Sequence, residues 1–148
     1  SNYDLIFSLL AKDGEERCEI IYDLNYHSGR GWMSPFKTDV FIYPCISNVY
    51  KKKGLKIFYS NVSRGHFGIK KVVVPISICS DFYVDGKGEY GLTHWVFGIK
   101  IESQEEGELI KKALKSKEFQ KVWRAISWSS REWEIFSYFR KDFYKAFI

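Results

Sequence analysis

Apolar and polar positions along the chain follow two different periods, and the change between them falls near Glu102. Before it, short β-branched and aromatic runs alternate with turn residues, which is the pattern of a sheet. The runs predict strands over Cys18–Tyr22, Thr38–Tyr43, Leu55–Tyr59, Lys71–Ile76, Phe82–Val84 and Thr93–Ile101. Turn chemistry lies between them at Asp13-Gly14, Ser28-Gly29-Arg30-Gly31, Lys53-Gly54, Arg64-Gly65 and Asp85-Gly86-Lys87-Gly88. Glycine and Asp tolerate positive φ, so the last of these reads as a tight hairpin turn, and Lys51-Lys52-Lys53-Gly54 as another.

After Glu102 the period becomes helical. Ser103 and Glu106 form a capping box, after which Leu109, Ile110, Ala113, Leu114, Val122, Trp123 and Ile126 recur at three and four. Trp128-Ser129-Ser130 breaks this run. Ser129 and Glu132 form a second capping box, opening a second helix with the stripe Trp133, Phe136, Phe139, Phe143 and Phe147. A stripe at that spacing is a core face. The expected class is α+β: a mostly antiparallel β-sheet in the first two thirds, with two C-terminal helices packed on it.

At 148 residues the chain fits one domain, taken as 3–148, with Ser1-Asn2 reading as a remnant of tag removal and the domain as a piece of a longer polypeptide. Twelve Phe, 10 Tyr and 5 Trp bring aromatics to 18%, more than a core of this size needs, so some are available for a surface. No apolar run approaches the roughly 18 residues of a membrane span. The opening stretch also lacks the marks of a signal peptide, so a cytoplasmic, membrane-free protein is expected. Cys18, Cys45 and Cys79 are too scattered for a zinc knuckle or redox pair and read as buried thiols.

Charge changes the picture. The net charge is +5, yet Val40 to Ser80 holds no Asp or Glu while carrying Lys51, Lys52, Lys53, Lys56, Arg64, Lys70 and Lys71. Asn48, Tyr50, Tyr59, Asn61, Ser63, His66 and Phe67 are interleaved with these cations. Cations set beside stacking and hydrogen-bonding groups are what a phosphate backbone with bases attached requires. A solvated lysine-rich hairpin is the plainer alternative.

Catalytic signatures are missing. The sequence has no Gly-x-Ser-x-Gly elbow, phosphate-binding glycine loop or His-Glu-x-x-His helix, and His27, His66 and His94 are far apart. A metal-dependent nuclease would need carboxylates converging around Mg²⁺ with a nearby lysine. Asp39 lies near Lys37 and Glu102 follows Lys100, but neither pair has the acidic-x-Lys order on one strand, which leaves a convergence of Asp39 with Glu19 or Asp23 as the nuclease alternative. A third possibility is a protein-interaction module with Trp32, Trp95 and Trp128 as an exposed patch.

Several short stretches carry a resemblance. They are Gly31-Trp32-Met33-Ser34 with Lys37, Tyr43-Pro44-Cys45-Ile46, Tyr59-Ser60-Asn61 and the run Arg64 to Val72. Further on come Gly88-Glu89-Tyr90-Gly91-Leu92-Thr93, Ala113 to Phe119 and Phe139 to Lys145. In order and spacing, over roughly residues 30 to 148, the chain resembles the target-recognition region of adenine-specific DNA methyltransferases and type II restriction-modification enzymes. The resemblance implies a DNA-reading module with no catalytic residue or cofactor of its own. S-adenosylmethionine or Mg²⁺, and the Asn-Pro-Pro-Tyr motif that grips a flipped adenine, would belong to a methyltransferase or nuclease domain elsewhere in the polypeptide or complex.

Both lines predict duplex DNA as partner, met by Lys51, Lys52, Lys53, Lys56, Asn61, Ser63, Arg64, His66, Lys70 and Lys71. The lysines would neutralise phosphates. Arg64 would contact guanine bidentately and Asn61 adenine. Alternation into Val72-Val73-Val74 leaves at least one of Lys70 and Lys71 exposed.

Overall fold

The apolar run Val72-Val73-Val74 forms the centre of the molecule. In the computed structural model, which describes residues 2–76, 80–127 and 131–148, these valines are fully buried on a strand whose two faces point into two different cores. Val72 and Val74 face a helical layer, and Val73 faces a second sheet. A strand covered on both sides has no polar face to show, so the run is continuous rather than alternating.

In chain order the elements are α1 (Asn2–Leu9), β1 (Ile20–Ile21), β2 (Met33–Ser34), β3 (Tyr43–Tyr50), β4 (Gly54–Ser60), β5 (Lys71–Pro75), β6 (Tyr83–Asp85), β7 (Gly91–Leu92), β8 (Val96–Lys100), α2 (Gln104–Leu114), α3 (Lys117–Ile126), α4 (Glu132–Phe136) and a 3₁₀-helix (Phe143–Phe147). Sheet I has the order β1-β8-β5-β6, sheet II the order β2-β4-β3-β7. All pairings are antiparallel except β3 with β7. The class is α+β, with the helices that follow the strands packed on sheet I and sheet II on its other face. Gly107 lets α2 lie against sheet I, because a Cβ there would stand 2.4 Å from Val84 Cγ1.

The pattern misplaces three features. Thr38–Tyr43 is not a strand: Thr38 Oγ1 accepts from the amides of Val40 and Phe41 (3.2 and 3.0 Å), folding the segment into a turn, and the strand begins at Tyr43. Pro44 sits inside that strand at a register position that β7 does not reach, so its missing N–H leaves no gap in the ladder. Asp85-Gly86-Lys87-Gly88 is not a hairpin turn, because β6 pairs in sheet I and β7 in sheet II; the segment carries the chain from one sheet to the other. The first C-terminal helix is two helices, since Ser116 accepts from the Phe119 amide and starts α3.

The aromatic stripe also differs in form. α4 ends at Phe136, a turn follows, and Phe139 and Arg140 then form isolated antiparallel bridges to Leu10 and Arg17 of the N-terminal segment. Ala11 donates to the Tyr138 carbonyl, Cys18 to that of Phe139 and Arg140 to that of Leu9, each at 2.9 Å. Phe136, Phe139 and Phe143 nevertheless pack together with Phe97, Phe119 and Trp123, at ring separations of 5.1–5.9 Å. Ser103 does cap α2, accepting from Glu106 at 3.1 Å. Ser129, Trp128 and Cys79 lie outside the described residues; Cys18 and Cys45 are buried thiols, pushed up by burial to about 12 and about 11.

Candidate nucleic-acid interface

The basic segment runs along sheet II and then into the joint between the sheets. Lys51, Lys52 and Lys53 form the turn of the β3–β4 hairpin, closed by Gly54 at φ +78°, and all three are exposed. β4 then carries Lys56, whose ammonium stands 5.6 Å from the Phe58 ring centroid. At the far end of β4, about 20 Å on at 3.3 Å per residue, the chain enters the loop that holds Asn61, Ser63, Arg64, His66 and Lys70. Hairpin tip and loop therefore mark the two ends of one strand. Lys51, Lys52, Lys53, Lys56 and Lys70 are exposed, and none is ion-paired with a described residue.

Two of the ten expected contact residues do not face solvent. Lys71 is fully buried at the head of β5, its Nζ 2.9 Å from Asp85 Oδ2 and donating to the carbonyls of His66, Ile69 and Tyr90 (3.3, 3.0 and 2.6 Å). Asp85 in turn accepts from the amides of Glu89 and Tyr90. Burial pulls the Lys71 ammonium down, against the Asp85 carboxylate that holds its proton. This pair ties the 61–70 loop to the 86–90 loop, and Lys71 has no route to a phosphate. His66 is buried too, edge-on to Tyr26 at 5.6 Å, and burial pushes its imidazole down. Both residues shape the loop from beneath.

The loops meet through backbone. Gly68 donates to the Gly88 carbonyl at 2.8 Å, and a Cβ on Gly88, itself at φ +68°, would stand 2.6 Å from the Gly68 carbonyl carbon. Gly65 and Gly68 adopt φ of +85° and +81°, which L side chains rarely accept.

Arg64 is held from three sides. Its Nη2 is 2.9 Å from Asp23 Oδ2, and the guanidinium carbon lies 5.3 Å from the ring centroids of both Tyr26 and Trp32. Tyr26 is anchored by donating to the Val62 carbonyl at 2.7 Å. Trp32 Nε1 donates to the His27 carbonyl, His27 stacks on His94 at 3.5 Å, and His94 meets Trp95 at 4.4 Å. An aromatic band thus links Arg64 to Trp95, which is 54% exposed. Among the described residues neither ring nitrogen of the buried His94 has a partner; burial, and then the neighbouring His27, push it down to about 4.

Compared with known proteins, the chain matches no family model, no curated protein and no solved structure.

The carboxylates offered for a nuclease are engaged separately. Asp23 pairs with Arg64 and Glu19 with Lys100 (3.3 Å), while Asp39 is exposed in the Thr38 turn. Among the described residues no three of His, Cys, Asp and Glu form a group that could hold a metal ion. No helix among them is long and apolar enough to cross a membrane. Of the three tryptophans considered as a patch, Trp95 is exposed, Trp32 is half-buried under Arg64, and Trp128 lies outside the described residues. Asp23, Tyr26, Trp32, His27 and His94, which position Arg64 and Trp95, carry no sequence signal for that role, because the contacts that join the first three to Arg64, and His27 to His94, reach from 32 (Trp32 to Arg64) to 67 (His27 to His94) positions along the chain.

Proposed function

We propose that this chain is a target-recognition module that binds duplex DNA for a restriction-modification or DNA-methyltransferase enzyme, whose catalytic domain, with S-adenosylmethionine or Mg²⁺, lies elsewhere in the polypeptide or complex. One observation carries the nucleic-acid part: five exposed lysines with no ion pair to a described residue accompany an arginine that is oriented by Asp23 and packed against two rings. The DNA-enzyme part rests on the resemblance of residues 30 to 148.

Lys51, Lys52, Lys53, Lys56 and Lys70 neutralise phosphates and set register without reading sequence. Arg64 reads. A guanidinium already held in position by Asp23, Tyr26 and Trp32 loses less freedom on binding than a free one, and its planar fork suits the O6 and N7 acceptors of guanine. Asn61 and Ser63, exposed beside it, supply further contacts. Lys71 and His66 support the loop and touch no DNA.

Fluorescence anisotropy of a labelled random-sequence duplex against the chain, from 50 to 200 mM salt, tests this. Five phosphate contacts predict an affinity loss of about 500-fold over that range. Absence of binding at the lowest salt sinks the reading. Salt-independent association with protein partners would favour the interaction-module alternative, for which exposed Trp95 is the supporting observation.

A further inference from the structure

The groove beside Trp95 shares only Lys56 with the duplex contacts above. It encloses about 240 Å³, is open to solvent, and is lined by Ser47, Asn48, Lys56, Pro75, Ile76 and Trp95. That volume exceeds the roughly 150 Å³ cavity known to admit a benzene ring.

Three features define what it would take. Trp95 presents its indole from a fixed backbone: its amide donates to Thr93 Oγ1 at 3.3 Å, and its carbonyl accepts from Ile76 at 3.0 Å. The His94 ring lies behind it. Asn48 is oriented without ambiguity, because its Oδ1 accepts both the Val49 amide (2.8 Å) and the Ser80 hydroxyl (2.9 Å). Its Nδ2 must then face away from those donors, and no described residue accepts from it. Lys56 adds an unpaired ammonium on the same groove. A stacking face, a fixed two-proton donor and a cation together suit a flat ring with an acceptor-rich edge attached to a phosphate.

We propose that this groove binds an unpaired nucleobase, stacked on Trp95, with Asn48 Nδ2 donating to an acceptor on its edge and Lys56 meeting the adjoining phosphate. The inference rests on the nucleic-acid reading and deepens it. Inside a duplex both faces of a base are covered by its neighbours, so only a base out of the stack can lie on the indole. The module therefore prefers DNA with an unstacked base beside the contacted duplex.

Anisotropy with two probes tests it at 50 mM salt: a matched duplex of random sequence, and the same duplex with one central unpaired thymidine. The unpaired probe should bind about five- to a hundredfold more tightly. Trp95→Ala should abolish that preference and leave matched-duplex affinity within about twofold, Trp95→Phe should keep part of it, and Asn48→Ala should reduce it. Equal binding of the two probes by the unaltered chain overturns the groove proposal while the duplex reading stands. So does a Trp95→Ala variant that keeps the preference or weakens both probes alike. If neither probe binds, both readings are overturned.

Discussion

The two faces of sheet I are covered in different ways. On the helical side the core is built from aliphatic and aromatic side chains, with Phe119, Phe136, Phe139 and Phe143 all fully buried. On the sheet II side and at the joint, burial reaches polar groups: Ser47, Ser60, His66, Lys71, Asp85, Thr93 and His94. Glu132, in the helical half, is the one other buried polar or charged residue among those described. Apolar contacts are non-directional and tolerate rearrangement, whereas a buried Lys–Asp pair with named carbonyl and amide partners admits one arrangement. The helical half supplies stability, and the sheet II half holds Arg64 and Trp95 at defined positions.

Substitution at each half should separate these roles. Phe136→Ala removes the ring at the centre of the aromatic cluster and should destabilise by about 3–5 kcal/mol in urea unfolding. DNA affinity measured well below the transition should not change. Lys71→Ala leaves Asp85 buried without its cation and should cost about 3–5 kcal/mol as well. Because the 61–70 loop loses two carbonyl contacts with it, to His66 and Ile69, and the 86–90 loop a third, to Tyr90, this variant should also bind DNA more weakly while still folded. If Lys71→Ala left affinity intact, the pair would be structural in the same sense as Phe136.

The histidines give the comparison a pH dependence. His94 is neutral in the fold down to about 4, whereas in the unfolded chain it titrates near the ordinary 6.5. Its contribution is complete above about 6.5 and is lost as pH falls towards 4, by up to roughly 3 kcal/mol. His66, pushed in the same direction, adds to the loss. Stability measured from pH 7.5 to 4 should fall across that window, and His94→Gln should flatten the curve.

Smaller effects belong to the surface. Arg64→Ala should cost about 1–3 kcal/mol on a preferred site and relax specificity there. Lys52→Ala should weaken all duplexes alike, lower the salt slope by about one unit and leave stability within about 0.5 kcal/mol. Identical behaviour of the two variants on preferred and random DNA would break the assignment of reading to Arg64 and neutralisation to the hairpin.

Much of this was legible in the residues. β-branched runs between turn residues located β4, β5, β6 and β8, and Ser103 with Glu106 located the start of α2. Tyr43–Tyr50 was not legible as a strand because Pro44 argues against a ladder position, and that β7 stops short of Pro44 is decided by a segment 47 residues later. The division after Phe136 was hidden because the partners of residues 138–140 are Leu9, Ala11 and Cys18, at the other end of the chain. In the candidate site, the acid-free lysine-rich stretch was visible as charge. That Lys71 faces inward while Lys70 faces out could be bounded by alternation but not assigned, since β5 is covered on both faces.

By itself, then, the sequence determined what depends on near neighbours: turn positions, helix caps, the apolar strand at the centre and the sign of the charge along 40–80. Only the tertiary structure decided which of those charges meet solvent and which rings surround Arg64. Those outcomes depend on contacts between residues such as Asp23 and Arg64, or Lys71 and Asp85, that local preference does not register. A charge is a property of a residue, whereas its exposure and its partner are properties of the packed chain.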